Sequence, residues 1–401
     1  MNAFTASRLS ALVLAAAFLA SAALAGAPRA NAADQPPIVI GTTVSQTGSY
    51  AEDAKYALQG YELWVKTQNA KGGLLGRKIE LKVYDDASDP ATAVSLYEKL
   101  VQQDHVNLIV GPYSSAITAA VANIAEKYKM PMISPEVSSV APFKRGLKYI
   151  FQAQAQSTRY VAAVIELAKA NGFKRVALSG EDSAFPRSVA SAFPDLAKNA
   201  GLEVVFNELY PHNASDYSAI AQKIKQSNPD VVVGVSYFPD SVGLLRALKQ
   251  ANVSPKIMYF SVGPTEPNFA KETGKDAEGV LGTTNWSASL KTANNGPFTK
   301  DFQDTYHASP DYHSAANYAA LQVLASAILA AKGLDNEKIR EFMAASKVPT
   351  VMGVYEVDPS GIQVGYDSLM LQWQGGKQYV VSPAGMAQRK PIVPFPSWSN
   401  R

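Results

Sequence analysis

A chain of 401 residues with 47% hydrophobic side chains can bury sizeable cores, and it is longer than one core usually organises, so two domains are expected. It contains no cysteine, which excludes thiol nucleophiles, thiolate metal sites, disulfides and a cysteine-linked lipid anchor. Lys and Arg number 37 against 34 Asp and Glu, and a net charge of +3 argues against nucleic acid as the main partner.

The N-terminus reads as an export signal. Arg8 precedes the run LSALVLAAAFLASAALA, residues 9–25, which is Ala-rich and shorter than the roughly 20 residues of a bilayer span. Small-residue cleavage patterns follow at Ala23-Leu24-Ala25 and Ala30-Asn31-Ala32; cleavage after Ala32 is preferred, making 1–32 a signal peptide. Loss of Arg8 and Arg29 brings the mature charge near +1, and the product is expected to be soluble outside the cytoplasm.

From Ile38 onward β-branched runs alternate with helical segments. Strands are expected at 38–44 (IVIGTTV), 78–84, 106–110, 131–134, 175–179, 202–209, 230–236 and 256–261, and helices at 53–69, 91–103, 157–170 and 217–227. Near-continuous apolar runs such as VVVGV suit parallel strands covered on both faces, so the pattern predicts a doubly wound α/β chain. The rhythm pauses between Ser134 and Phe151, where the first crossing between two lobes is expected. Residues 366–383 read as a hairpin across Gly375-Gly376. The expected first lobe is 33–155 plus 285–365, and the second 156–284 plus 366–401.

In such sheets ligands sit beyond the carboxyl ends of strands, and two lobes would direct these ends into one cleft. Gly111-Pro112 ends one strand and opens a helix at Ser114 and Ser115, whose unpaired N–H groups and positive dipole end make an anion site; simple capping is the alternative. The loop SPEVSSVAP, residues 134–142, offers more hydroxyls and N–H groups, or is an ordinary polar turn. Tyr237 and Phe238 follow another strand and either cover an apolar ligand portion or belong to the core margin; Tyr50 is placed likewise beyond the first strand.

Enzyme signatures fail in turn. His105, His212, His307 and His313 are scattered, the last two six apart and so off one helix face. There is no G-x-S-x-G elbow, P-loop or G-x-G-x-x-G fingerprint. Gly72 to Gly76 reads as a helix cap and turn, and Asp85-Asp86-Ala87-Ser88-Asp89 as a solvated helix-start loop rather than a calcium site. No cofactor, metal or enzymatic activity is expected.

Seven stretches resemble the periplasmic solute-binding proteins of ABC importers, of the leucine/isoleucine/valine-binding type, over essentially the whole mature length. They are IGTTVSQTGSYA, NAKGGLLGRKIELKVYDDASDP, GPYSS, MISPEVSS, DVVVGVSYFPD, DAEGV and NYAALQ. The resemblance implies a type I binding fold, with two doubly wound parallel-sheet lobes joined by a three-crossover hinge. It also implies a periplasmic protein that docks on a membrane permease and is expected to be a monomer; the alternative is a ligand-sensing receptor subunit of the same fold, which would have to act through a separate partner because PFPSWSNR carries no signalling region.

What the resemblance implies for the site is a ligand carboxylate on Ser115, Glu136 and Ser138, with Tyr113, Ser114 and Val137 alongside and Tyr237 as the aromatic contact from the second lobe. The acids that would receive an α-ammonium fall on Val262 and Gln156. An enclosed ammonium without a carboxylate costs several kcal/mol, so the ligand is expected to be an aromatic or branched oxo- or hydroxy-acid, unless another acid such as Glu136, Glu181, Asp182 or Glu266 serves a hydrophobic amino acid. The family's cysteine pair falls on Ser88 and Ser114.

Overall fold

The computed structural model describes residues 35–399, so the expected signal peptide lies outside the described residues. The apolar runs pair into two sheets. The first contains β1 (Ile38–Val44), β2 (Ile79–Asp85), β3 (Leu108–Val110), β4 (Met132–Ser134) and β5 (Ile150–Gln152) in the order 2-1-3-4-5, all parallel. The second is built on β6 (Arg175–Glu181), β7 (Glu203–Tyr210), β8 (Val231–Val235), β9 (Ile257–Phe260) and β10 (Leu281–Thr284), whose order 7-6-8-9-10 repeats the winding of the first. A separate two-stranded piece follows, β11 (Val348–Pro349) with β12 (Val354–Tyr355). The expected hairpin is β13 (Leu369–Gln374) and β14 (Lys377–Ser382), which joins the second sheet antiparallel along β10. The chain therefore passes between the sheets three times: after β5, after β10 and before β13.

Each sheet is covered on both faces, as its apolar runs require. In the first, Leu108 and Val110 pack with α1 (Ala51–Ala70) and with a late helix from after β10, while Ile109 packs with α2 (Pro90–Gln102) and α3 (Ser115–Tyr128). Asp89 caps α2 by accepting from Thr92 N at 2.7 Å, with Pro90 at the first helical position, where its missing N–H costs nothing. The second sheet is flanked by α4 (Ala184–Asn199), α5 (Ser218–Ser227) and α6 (Phe238–Gln250).

After β10 the chain returns through α7 (Asn295–Tyr306) to α8 (Tyr312–Ala331), an almost wholly buried helix that packs along α1. Gly60 makes the contact possible, because a Cβ there would stand 2.2 Å from the Ser314 carbonyl oxygen. The first turn of α8 is thereby pressed against the face of α1 that begins at Asp53.

Several expectations are corrected. β5 begins within the pause at 134–151 and ends at Gln152, so the first crossing comes after it; three residues are too short to carry a periodic signal. The helix expected over 157–170 breaks into Ser157–Tyr160 and Ala162–Ala170. The Tyr160 carbonyl accepts instead from the hydroxyls of Tyr259 at 2.8 Å and Thr283 at 2.6 Å, side chains from distant strands. The acidic loop is not uniformly solvated, since Asp86 is fully buried and accepts from Thr43 and Ser45 hydroxyls at 2.6 Å each. The positions of the family's cysteine pair serve locally: Ser88 Oγ donates to Thr47 O and accepts from Tyr50 N, while Ser114 Oγ accepts from Ile117 N.

Candidate functional site

Both sheets reverse their winding beside their first strand, between β1 and β3 and between β6 and β8, and crevices open at the carboxyl ends there. The two crevices face each other and close on a layer of aromatic rings. Tyr50, after β1, lies 4.8 Å from Tyr237, after β8, and 5.9 Å from His212. Tyr113, after β3, lies 6.3 Å from Tyr237 and 5.3 Å from His313, and Phe185 of α4 closes the far side at 6.0 Å from Tyr237. Between these rings is a cavity of about 20 Å³.

Its floor is the turn into α3. Gly111 is needed because a Cβ would stand 2.8 Å from Ser134 Cα. Ser114 takes φ +76° and ψ 151°, a region that residues with a side chain rarely occupy and that costs about 1–3 kcal/mol. Ser115 Oγ accepts from Ser138 N and Ser139 N, both at 3.2 Å, which ties the turn after β4 to the start of α3. Ser138 Oγ donates at 2.8 Å to the Tyr160 hydroxyl, which also accepts from Asn285 Nδ2 at the same distance. The serine turn is thus linked, through Ser138, to Tyr160 and Asn285, on the segments that follow β5 and β10.

A buried polar cluster lies beside this floor. Glu136 accepts from Asn317 Nδ2 on one oxygen and lies 2.8 Å from His313 Nδ1 on the other. Burial pushes the Glu136 carboxyl well up, opposed by the Asn317 bond. Burial also lowers His313 to about 4, opposed by Asp311, so its imidazole is neutral near pH 7. His313 Nε2 stands 3.4 Å from Glu266 Oε1, on the loop after β9 in the opposite lobe. Asp53 of α1 accepts from Phe238 N, at the start of α6, at the long distance of 3.5 Å. Burial raises Asp53 and Glu266; nearby Asp240 adds to the first and Asp311 to the second.

Of the residues expected at the site, Tyr113, Ser114, Ser115, Glu136, Ser138, Tyr237 and Val262 line the cavity, and Tyr50 packs over Tyr113 and Tyr237. Val137 instead points into the core, its carbonyl accepting from Gln152 Nε2 at 2.8 Å. Gln156 turns to the hinge, where its Nε2 donates to Gln363 O at 3.3 Å. Sequence reasoning missed Gln154, Tyr160, Phe185, Tyr312 and His313 in the lining, and Asp53 beside it. One local signal was available for His313: Asp311 and Ser314 form a reciprocal capping box around it, which marks a helix start.

The model of the periplasmic binding protein family matches residues 37–378. The chain belongs to that family. The family's relatives include Leu/Ile/Val-binding protein homolog 7 of Brucella suis biovar 1 (strain 1330), 28% identical over 371 residues that span 87% of this chain and 92% of that protein. Among solved structures, the branched-chain amino acid transporter substrate binding protein LivJ of Streptococcus pneumoniae in complex with isoleucine superposes with a TM-score of 0.79 at 24% identity, covering 86% of this chain and all of that one. A solute binding protein of an ABC transporter from R. palustris, in complex with benzoate, gives 0.77 at 21% identity over 86% of this chain and 95% of its own. The fold is the type I periplasmic binding fold, as the seven motifs implied.

Proposed function

We propose that this chain is the periplasmic solute-binding component of an ABC importer, a monomer that captures a small organic carboxylate with an aromatic or branched body and delivers it to a membrane permease. The observation that carries the reading is the helix start at Ser114 and Ser115, strained at Ser114 and facing Tyr113 and Tyr237 across a cavity shared by both lobes. First-turn N–H groups of α3 suit a carboxylate, and the rings suit an apolar body.

Asp53 and Glu266 are not among the residues lining the cavity, and an ammonium without a free lining carboxylate to receive it favours an acid lacking the α-amino group. Val262 is apolar, Gln156 is engaged at the hinge, and the Glu136 oxygens already face Asn317 and His313. The relatives named above include one bound to isoleucine and one bound to benzoate, so the fold accommodates both classes.

A cavity of about 20 Å³ has room for about one water, so an organic acid enters only as the lobes part. Contacts made with both lobes then select the closed form, which is what the permease would recognise. Matched calorimetric titrations test the ligand class: phenylpyruvate against phenylalanine, and 4-methyl-2-oxopentanoate against leucine. The oxo-acid is expected to bind at least tenfold more tightly in each pair, a gap that needs only about 1.4 kcal/mol. Amino acids binding more tightly in both pairs would overturn the assignment of Val262 and Gln156.

A further inference from the structure

We propose that Asp53, His313 and Glu266 form a binding site for a divalent first-row transition metal ion that clamps the two lobes in the closed state. The inference goes beyond carboxylate capture and does not depend on which organic ligand the cavity takes. One donor atom from each residue lies within 4.8 Å of the other two, and all three side chains are buried. Asp53 on α1 and His313 on α8 come from the first lobe, Glu266 from the second.

Each first-lobe donor is already oriented by a bond on its other side. Asp53 Oδ2 faces Phe238 N, and among the described residues Asp53 Oδ1 has no hydrogen-bond partner. His313 Nδ1 faces Glu136, and Nε2 likewise has no hydrogen-bond partner. With the imidazole proton assigned to the Glu136 bond, Nε2 keeps its lone pair. A carboxylate behind a histidine is the arrangement by which metal sites set the tautomer and raise ligand basicity. Asn317 holds the other Glu136 oxygen and so fixes that carboxylate in turn.

Glu266 supplies the strongest demand for a cation. It is fully buried, and neither of its oxygens has a hydrogen-bond partner among the described residues. Asp311 adds negative charge beside it, and its own Oδ2 is also unpartnered. A proton shared between Glu266 and Asp311 would serve those two acids but leave Asp53 Oδ1 and His313 Nε2 without a partner, whereas one divalent ion satisfies lone pairs of Asp53, His313 and Glu266 together.

One of the three donor spacings is that of a tetrahedral transition-metal site, and all three lie within 4.8 Å. Ligand atoms at roughly 2.1 Å from a tetrahedral ion stand roughly 3.4 Å apart, and His313 Nε2 lies 3.4 Å from Glu266 Oε1. One imidazole and two carboxylates favour zinc, cobalt or manganese over calcium or magnesium, which prefer all-oxygen shells. Because the donors come from both lobes, occupancy would stabilise the closed form over the open one.

The test uses the mature protein dialysed against EDTA and then titrated with Zn²⁺ and separately with Co²⁺, without organic ligand. The expected result is one equivalent of Zn²⁺ retained after desalting, a melting temperature that rises until one equivalent is bound, and visible ligand-field absorption with Co²⁺. Glu266→Gln and Asp53→Asn remove buried charge with little change of shape, so both should fold; each is expected to bind Zn²⁺ at least tenfold more weakly. Less than a tenth of an equivalent retained by the wild-type protein would overturn the proposal. So would equal Zn²⁺ affinity in wild type and both variants, which would place the ion elsewhere. None of these outcomes depends on the oxo-acid titrations, so the two proposals can fail separately.

Discussion

Ser115→Ala tests the link between the serine turn and the loop after β4. The hydroxyl oxygen takes two buried amides, Ser138 N and Ser139 N, each at 3.2 Å, and alanine leaves both without it. Stranding a buried N–H costs about 1–3 kcal/mol, and partial relaxation makes the pair worth about 2–4 kcal/mol. The loss should appear without any ligand, because the bonds lie within the first lobe. Ser115→Thr retains the hydroxyl and should recover most of it. Carboxylate affinity should fall by a further 1–2 kcal/mol, about the value of one charge-assisted hydrogen bond, as the two turns lose their common register. Urea unfolding followed by circular dichroism measures the first quantity and calorimetry with a verified ligand the second. A stability loss below about 1 kcal/mol for alanine, or equal losses for alanine and threonine, would refute the assignment of the two amides to Ser115.

Asp240 predicts a pH dependence. Burial, then the nearby Glu181 charge, raises it from 3.8 to about 8, opposed by the Tyr210 hydroxyl at 2.5 Å. Its folded pKa lies above its unfolded one, so its contribution is fully present below about pH 4 and is lost as pH rises through about 8. The full loss is at most roughly 6 kcal/mol. Asp240→Asn should therefore melt higher than wild type at pH 8, with a smaller gap at pH 5; a gap independent of pH would refute the account. Small-angle scattering should show a smaller radius of gyration once a verified ligand is bound to protein opened by dialysis, and identical profiles would count against closure.

The parts of the site legible in sequence were those carried by short contiguous signals. Gly111-Pro112 followed by two serines marks a strand end and a helix start, and the aromatics after apolar strands fall where carboxyl ends emerge. His313 was not legible in this way. The spacing test asks whether two histidines share a helix face, whereas the groups that meet His313 come from Asp53, Glu136 and Glu266, far away in sequence. Gln156 and Val137 show the converse: the resemblance placed them at the site, but long-range partners hold Gln156 at the hinge through Gln363 O and Val137 in the core, its carbonyl on Gln152 Nε2.

By itself the sequence determined the α/β winding, most strand positions, the closing hairpin and the turn into α3, because periodicity, caps and glycines act over a few residues. The tertiary structure alone decided which of these pieces meet. Gly60 lets α8 approach α1, the three crossings bring two switch points face to face, and the break after Tyr160 follows from hydroxyls on β9 and β10. Whether a buried acid is paired, stranded or shared between lobes depends on such long-range packing, since the partner that satisfies it can lie hundreds of residues away.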